Sequence, residues 1–226
     1  MSPRAVLLDF DGLMCDTERA ARRSWEETWA YCGLVFPHGL WRRMQGRSDG
    51  ESIALDSLAA ALGRPVTADL RDRRRRRKQE LSDLEPLRPG VAELIEGARS
   101  QGLPVAVVSS SRADWVEGHV ARLAVGDRFA FVLSGRDAER HKPAPDLYLA
   151  ALDRLGPAGV DARAVLALED SPVGVRAARA AGMRCVAVPS SVGDAALLTA
   201  ADAVVAAPGA YLLEADWKPP NQTRDR

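Results

Sequence analysis

Short apolar runs that each stop at a polar cluster constrain this chain most: Ala5–Leu8, Leu103–Val108, Ala164–Leu168 and Cys185–Val188. Runs this short, bounded by turn residues, suit strands buried on both faces. Helical patterns lie between them, at Val91–Ser100 and Ala113–Leu123 and in segments that end at Leu155 and Ala181. Two shorter strands are expected at Phe131–Leu133 and Ala203–Val205. Strands alternating with helices predict an α/β fold, a parallel sheet with helices on both faces. At 226 residues the chain can bury a substantial core.

One block breaks the alternation. From about Glu18 to Leu84 every periodic segment reads as helix. Trp25, Trp29 and Leu34 are spaced as a buried face, Gly33, Pro37, Gly39 and Gly46 punctuate the chain, and further helices are expected near Asp49–Leu62 and Ala68–Leu84. A wholly helical block between the first strand and the later alternation predicts an inserted domain over the carboxyl end of that strand. The division is a core of residues 1–17 and 85–226 and a helical unit of 18–84, with a polar tail at 217–226 expected to fray.

The run Arg71-Asp72-Arg73-Arg74-Arg75-Arg76-Arg77-Lys78 has no interleaved aromatic residues and is followed by Glu80, Asp83 and Glu85. It therefore reads as a solvated helix face. Basic and acidic residues both number 31, which excludes a general electrostatic pull on nucleic acid. No segment is long and apolar enough to span a bilayer, and Asp9 interrupts the first apolar stretch before it could form a signal peptide. Cys15, Cys32 and Cys185 are widely spaced without metal-ligand patterning, so the expectation is a cytoplasmic protein with reduced thiols.

The strand ends carry the chemistry. Leu7-Leu8-Asp9-Phe10-Asp11-Gly12 places two carboxylates at i and i+2, on one face of an extended chain, and Gly12 lets the backbone turn away. Open α/β sheets bind ligands in the crevice outside strand carboxyl ends. Carboxylates this close do not both ionise comfortably without a cation or a shared proton. Alone, the stretch is equally an Asp-Gly turn. Ser109-Ser110-Ser111 follows another strand and precedes a helix, which suits either an anion site or simple capping. Lys142 before Pro143 is expected in the first turn of a helix, where a compact cation could neutralise a phosphoryl group. Glu169-Asp170 adds two carboxylates that Mg²⁺ would reconcile, unless Asp170 or Ser171 only caps the next helix.

Taken in order, Asp9-Phe10-Asp11-Gly12, Ser109, Lys142 in Lys-Pro-Ala-Pro-Asp, and Glu169-Asp170-Ser171 resemble the four motifs of the haloacid dehalogenase superfamily. Asp16-Thr17-Glu18, the helical insert and the Gly174–Gly182 segment resemble the branch that contains β-phosphoglucomutases and small sugar-phosphate phosphatases. The resemblance covers essentially the whole chain and implies a Rossmann-like core with an inserted α-helical cap. It implies Asp9 as the nucleophile forming an aspartyl-phosphate, and Asp11 as general acid and base. It also implies Mg²⁺ held by the Asp9 side chain, the Asp11 backbone carbonyl and Asp170, with Glu169 close by or participating. Ser109, the Ser110 backbone and Lys142 would hold the phosphoryl group, with Ser111 and Arg112 supporting that loop. An aspartate at position 11 sets the chain apart from the dehalogenases and phosphonatases of the superfamily, so the implied activity is phosphoric monoester hydrolysis.

Met44-Gln45-Gly46-Arg47-Ser48 resembles the cap loop that closes over the site in this branch. That makes Gln45, Gly46 and Arg47 expected substrate contacts, with Glu18, Arg22 and Trp25 on the opposite wall. β-Phosphoglucomutases usually have a histidine on the first cap helix and a lysine and an arginine in the cap loop, where this chain has Ala21, Gln45 and Asp49. The mutase is therefore the second reading, and a catalytically silent polyanion-binding protein a remote third. The expected partner is a small phosphorylated metabolite, sugar or polyol phosphate first, with no nucleic acid and no membrane, for a monomer or weak homodimer.

Overall fold

The computed structural model describes residues 2–45, 49–156, 160–193 and 195–214. Its centre is a six-stranded sheet made of β1 (Ala5–Leu8), β2 (Val105–Val108), β3 (Phe131–Leu133), β4 (Val165–Glu169), β5 (Arg184–Ala187) and β6 (Ala203–Val204). The order is β3-β2-β1-β4-β5-β6, and every pairing is parallel. The second strand starts two residues later than its apolar run, because Pro104 has no N–H for the ladder and offers only its carbonyl, to Val6.

Alternation decides which face each residue of these apolar strands joins. Val6, Leu8, Val105 and Val107 turn toward α5 (Val91–Ser100) and α6 (Ala113–Arg122). Ala5, Leu7, Ala106 and Val108 meet α7 (Asp146–Leu155) and α8 (Pro172–Ala180) on the other face. The chain leaves β1 for β2 and β3 on one side, then crosses back to β4 on the other. The carboxyl ends of β1 and β4 therefore flank the point where the winding reverses, the place where such sheets bind ligands.

Between β1 and α5 the chain forms α1 (Thr17–Tyr31), α2 (Leu40–Met44), α3 (Gly50–Leu62) and α4 (Ala68–Asp83). These four pack around an apolar core of their own, which includes Trp25, Trp29, Leu40, Trp41, Leu58 and Leu70. The tryptophan spacing thus marked a buried face. Non-helical segments separate the helices, with Gly33 at φ +72° just after α1. Arg19 ties the block to the sheet side, reaching the Glu85 carboxylate at 3.1 and 2.6 Å. No described helix is long and apolar enough to cross a membrane. The three cysteines are free thiols, Cys15 and Cys185 being buried. The tail from 217 onward lies outside the described residues.

Candidate active site

Asp9 follows directly on β1, and its Oδ1 accepts a hydrogen bond from the Lys142 ammonium at 2.6 Å. The same ammonium donates to the Val108 carbonyl and to Glu169 Oε1, both at 2.7 Å. Lys142 is buried, so desolvation works against its charge, but Asp9 and Glu169 outweigh that and raise its pKa above the ordinary value. Lys142 does not sit in the first turn of a helix as its proline suggested. It sits inside a turn in which Ala144 N–H bonds the His141 carbonyl, and α7 begins only at Asp146. The Lys142–Pro143 peptide is cis.

Glu169, Asp170 and Asp9 offer carboxylate oxygens that lie within 4.8 Å of one another. Their surroundings differ. Glu169 is fully buried, and its Oε1 accepts from Lys142 and from the Tyr148 hydroxyl at 2.6 Å. Its carboxylate fills the space beside Gly174, where a Cβ would lie 1.9 Å from Oε2. The Asp170 carboxylate is also buried, yet has no hydrogen-bond or ion-pair partner among the described residues. Ser171, not Asp170, caps α8, accepting the Gly174 N–H at 3.1 Å. Gly12, at φ +74°, leaves room for Asp170, since a Cβ there would sit 1.9 Å from Oδ2. Burial pushes the Asp9 carboxyl up to about 8, with Lys142 pulling it back in part. Burial, then the charges of Asp9, Glu18, Glu169 and Asp11, raise Asp170 well above the carboxylate range.

The three serines have separate tasks and none of them caps α6, whose N-cap is Arg112. Ser109 Oγ accepts the Ser111 N–H at 3.1 Å, and Ser110 Oγ accepts the Lys142 N–H at 3.2 Å. Ser111 donates its hydroxyl to Asp11 Oδ2. Asp11 Oδ1 accepts from Thr17 Oγ1 at 2.8 Å and from the Trp115 indole N–H at 2.9 Å. Arg112 turns outward to Asp114 at 2.7 Å.

A cavity of about 450 Å³ joins these groups to the helical block. Asp9, Asp11, Ser109, Ser110, Lys142 and Asp170 line it from the sheet side, and Glu18, Trp25 and Gln45 from the helices. Burial pushes the Glu18 carboxyl up to about 7, opposed by the nearby Lys78 charge. Arg22 is not brought to this cavity. It pairs with Glu26 at 2.9 Å one turn along α1 and borders a separate groove. Gly46 and Arg47 lie outside the described residues. Ala21 lines the cavity, and Asp49 is the N-cap residue of α3.

The arginine run requires a correction. Arg71, Arg73, Arg75 and Arg76 are exposed, but Arg74 and Lys78, one turn apart on α4, line the cavity. Arg74 is buried, paired with Glu51 at 2.9 Å and stacked over Trp25 at 4.4 Å. Lys78 lies 4.5 Å over the Trp115 ring and makes no hydrogen bond or ion pair to another described residue. Thr17, Lys78 and Trp115 are the contacts that sequence reasoning missed. The signals were there: Lys78 continues the stripe Leu70–Arg74 at four-residue spacing, and Trp115 follows Ser111 by four.

Carboxylates, a buried lysine and serines gather at the reversal point of a parallel sheet, an acidic cavity in an α/β fold. The sequence matches the haloacid dehalogenase-like hydrolases over residues 3–182, and the chain belongs to that family. It is 33% identical to CbbY of Rhodobacter capsulatus over 212 residues, 89% of this chain and 92% of that protein. It is 32% identical to the mitochondrial (DL)-glycerol-3-phosphatase 1 of Arabidopsis thaliana over 207 residues, 89% of this chain and 69% of that one. The crystal structure of CbbY from Rhodobacter sphaeroides in complex with xylulose-(1,5)-bisphosphate superposes with a TM-score of 0.69 at 26% identity, covering 94% of this chain and 99% of the other.

Proposed function

We propose that this hydrolase is a Mg²⁺-dependent phosphatase that cleaves a small phosphorylated metabolite, a sugar or polyol phosphate, through an aspartyl-phosphate at Asp9. The observation that carries the reading is the Lys142 ammonium bound to Asp9 beside the buried, unpartnered Asp170 carboxylate. A set of hard carboxylate oxygens, one of them without a partner, fits Mg²⁺. Asp9 and Asp170 would hold it, with the Asp11 carbonyl, while Glu169 is already engaged by Lys142 and Tyr148. When bound, the ion supplies positive charge against the phosphoryl oxygens.

The residues of the chain divide the remaining work. A carboxylate oxygen of Asp9 attacks phosphorus, and Lys142 keeps a fixed positive charge beside it. Ser109 and Ser110 hold phosphoryl oxygens. Asp11 gives a proton to the leaving alkoxide and later takes one from the water that cleaves the acyl phosphate.

Residues 18–84 act as a cap on a core of 1–17 and 85–226, because the cavity draws its walls from both and a substrate there would be shielded from bulk water. A cavity of about 450 Å³ suits a metabolite and excludes a macromolecule. The names of the relatives, a glycerol-3-phosphatase and a CbbY bound to a sugar bisphosphate, support that substrate class. The β-phosphoglucomutase-type reading stays second, since Ala21 and Gln45 bring no charge to the cavity.

The test is release of inorganic phosphate from a panel of sugar, polyol and nucleoside phosphates, with Mg²⁺ and with chelator. Metal-dependent release from one group, lost in Asp9→Asn, is expected. Hexose phosphate isomerisation without release would favour the mutase, and wild-type-like activity in Asp9→Asn would sink the nucleophile assignment.

A further inference from the structure

Within the phosphatase reading, on which this inference rests, Asp11 has to move a proton twice, and its two oxygens are not equivalent. Oδ1 accepts from both the Thr17 hydroxyl and the Trp115 indole N–H, at 2.8 and 2.9 Å, whereas Oδ2 accepts from Ser111 alone. A carboxylate oxygen offers about two lone-pair sites. Oδ1 is therefore filled, and Oδ2 keeps one site free in a residue that lines the cavity. Thr17 Oγ1 also accepts the Gly12 N–H at 3.1 Å, which leaves its own proton to Asp11. The indole is the stricter partner, because it can only donate and so always requires an acceptor at Oδ1.

The indole is held firmly. Trp115 stands in the first turns of α6, with the His119 ring edge-on at 4.5 Å and the Lys78 ammonium over its own ring at 4.5 Å. One contact comes from the sheet side and the other from the helical block, so the ring is fixed between the two.

We propose that Trp115 is a positioning residue that reserves Asp11 Oδ1, so that Oδ2 carries the catalytic proton. In the first half-reaction the Oδ2 proton passes to the leaving alkoxide oxygen as its bond to phosphorus breaks and the bond from Asp9 forms. In the second, Oδ2 takes a proton from water as the water oxygen bonds to phosphorus and the Asp9 oxygen leaves, releasing inorganic phosphate and restoring both carboxyl groups.

Trp115→Phe keeps the ring between His119 and Lys78 and removes only the N–H. Protonation of the leaving group matters greatly for an alkyl phosphate and little for p-nitrophenyl phosphate, whose phenolate departs unprotonated. The ratio of kcat/KM for the best alkyl substrate to that for p-nitrophenyl phosphate falls about tenfold in Trp115→Phe, the share of one hydrogen bond to a charged group. An unchanged ratio, whether both substrates lose equally or neither does, overturns the proposal by leaving Trp115 a structural part only. Absence of metal-dependent hydrolysis in the wild type overturns the phosphatase reading itself, and this inference with it. A second measurement needs no turnover. Of the five indole N–H signals in ¹⁵N-labelled protein, Asp11→Ala shifts one strongly, and five unmoved signals would refute the contact.

Discussion

Replacing Lys142 with methionine tests whether a single buried cation balances the acidic centre. The side chain is 4% exposed, and its ammonium donates to Asp9, Val108 and Glu169 at 2.6, 2.7 and 2.7 Å. Methionine is similar in length and volume, so the change removes charge and donors with little cavity. It leaves Asp9 and Glu169 facing each other unneutralised and strips the Val108 carbonyl of that donor. Breaking a buried pair from one side costs about 3–5 kcal/mol. That is a large part of the roughly 5–15 kcal/mol that holds a domain folded. Urea unfolding in chelator at pH 9, above the folded-state value of about 8 for Asp9, reads the loss, and phosphate release with Mg²⁺ is expected to fall alongside it. Glu169→Gln, which removes one of the stranded charges, should return part of the loss in the double variant, a coupling of about 0.5–3 kcal/mol. A loss below about 1 kcal/mol, or strict additivity of the two changes, would refute the balance described.

Two further outcomes follow from the site. Asp9 and Glu18 have folded-state pKa values raised to about 8 and about 7, and Asp170 is raised as well, so the metal-free folded state binds more protons than the unfolded chain between their ordinary values and these. Its stability therefore falls as pH rises through that window. His119, depressed by burial from its ordinary 6.5, opposes the trend only at lower pH, so Tm in chelator should fall from about pH 6.5 to 8 and Mg²⁺ should flatten the slope; a rise in chelator would contradict the reading. Lys78→Ala removes a cavity cation that makes no ion pair to another described residue, and should raise KM for an anionic substrate about tenfold; an unchanged KM would show that Lys78 does not meet substrate.

The sheet was legible because its strands are short apolar runs that end at polar clusters, and those ends are where the site lies. Asp9 and Asp170 could each be placed from their position after a strand, whereas Lys142, expected in the first turn of a helix, lies in the turn before α7. Less could be read of how they connect. Glu169 was expected close to the metal, and it does lie with Asp9 and Asp170, but nothing in its position at the end of β4 indicated that α7 would set the Tyr148 hydroxyl on it, a contact 21 residues apart in sequence. Arg22 looked like a cavity wall, but it pairs with Glu26 along its own helix, a local bond that outcompeted the distant site.

The charge run on α4 shows where composition and geometry part. The eight consecutive residues Arg71 to Lys78 read together as solvated because no aromatic residue interrupts them and Glu80, Asp83 and Glu85 follow. A helix turns about 100° per residue, so a run longer than two turns faces every direction. Once Leu70 is buried against the tryptophans of α1 and α2, the residues four and eight places on must follow it inward. Arg74 and Lys78 do so, and the buried one is neutralised by Glu51 and covered by Trp25. Lys78, a turn nearer the carboxylates, keeps its charge available to the cavity. A charged run on a packed helix is thus a solvated face over only part of its circumference, and the apolar residue that precedes it identifies the charges that turn in.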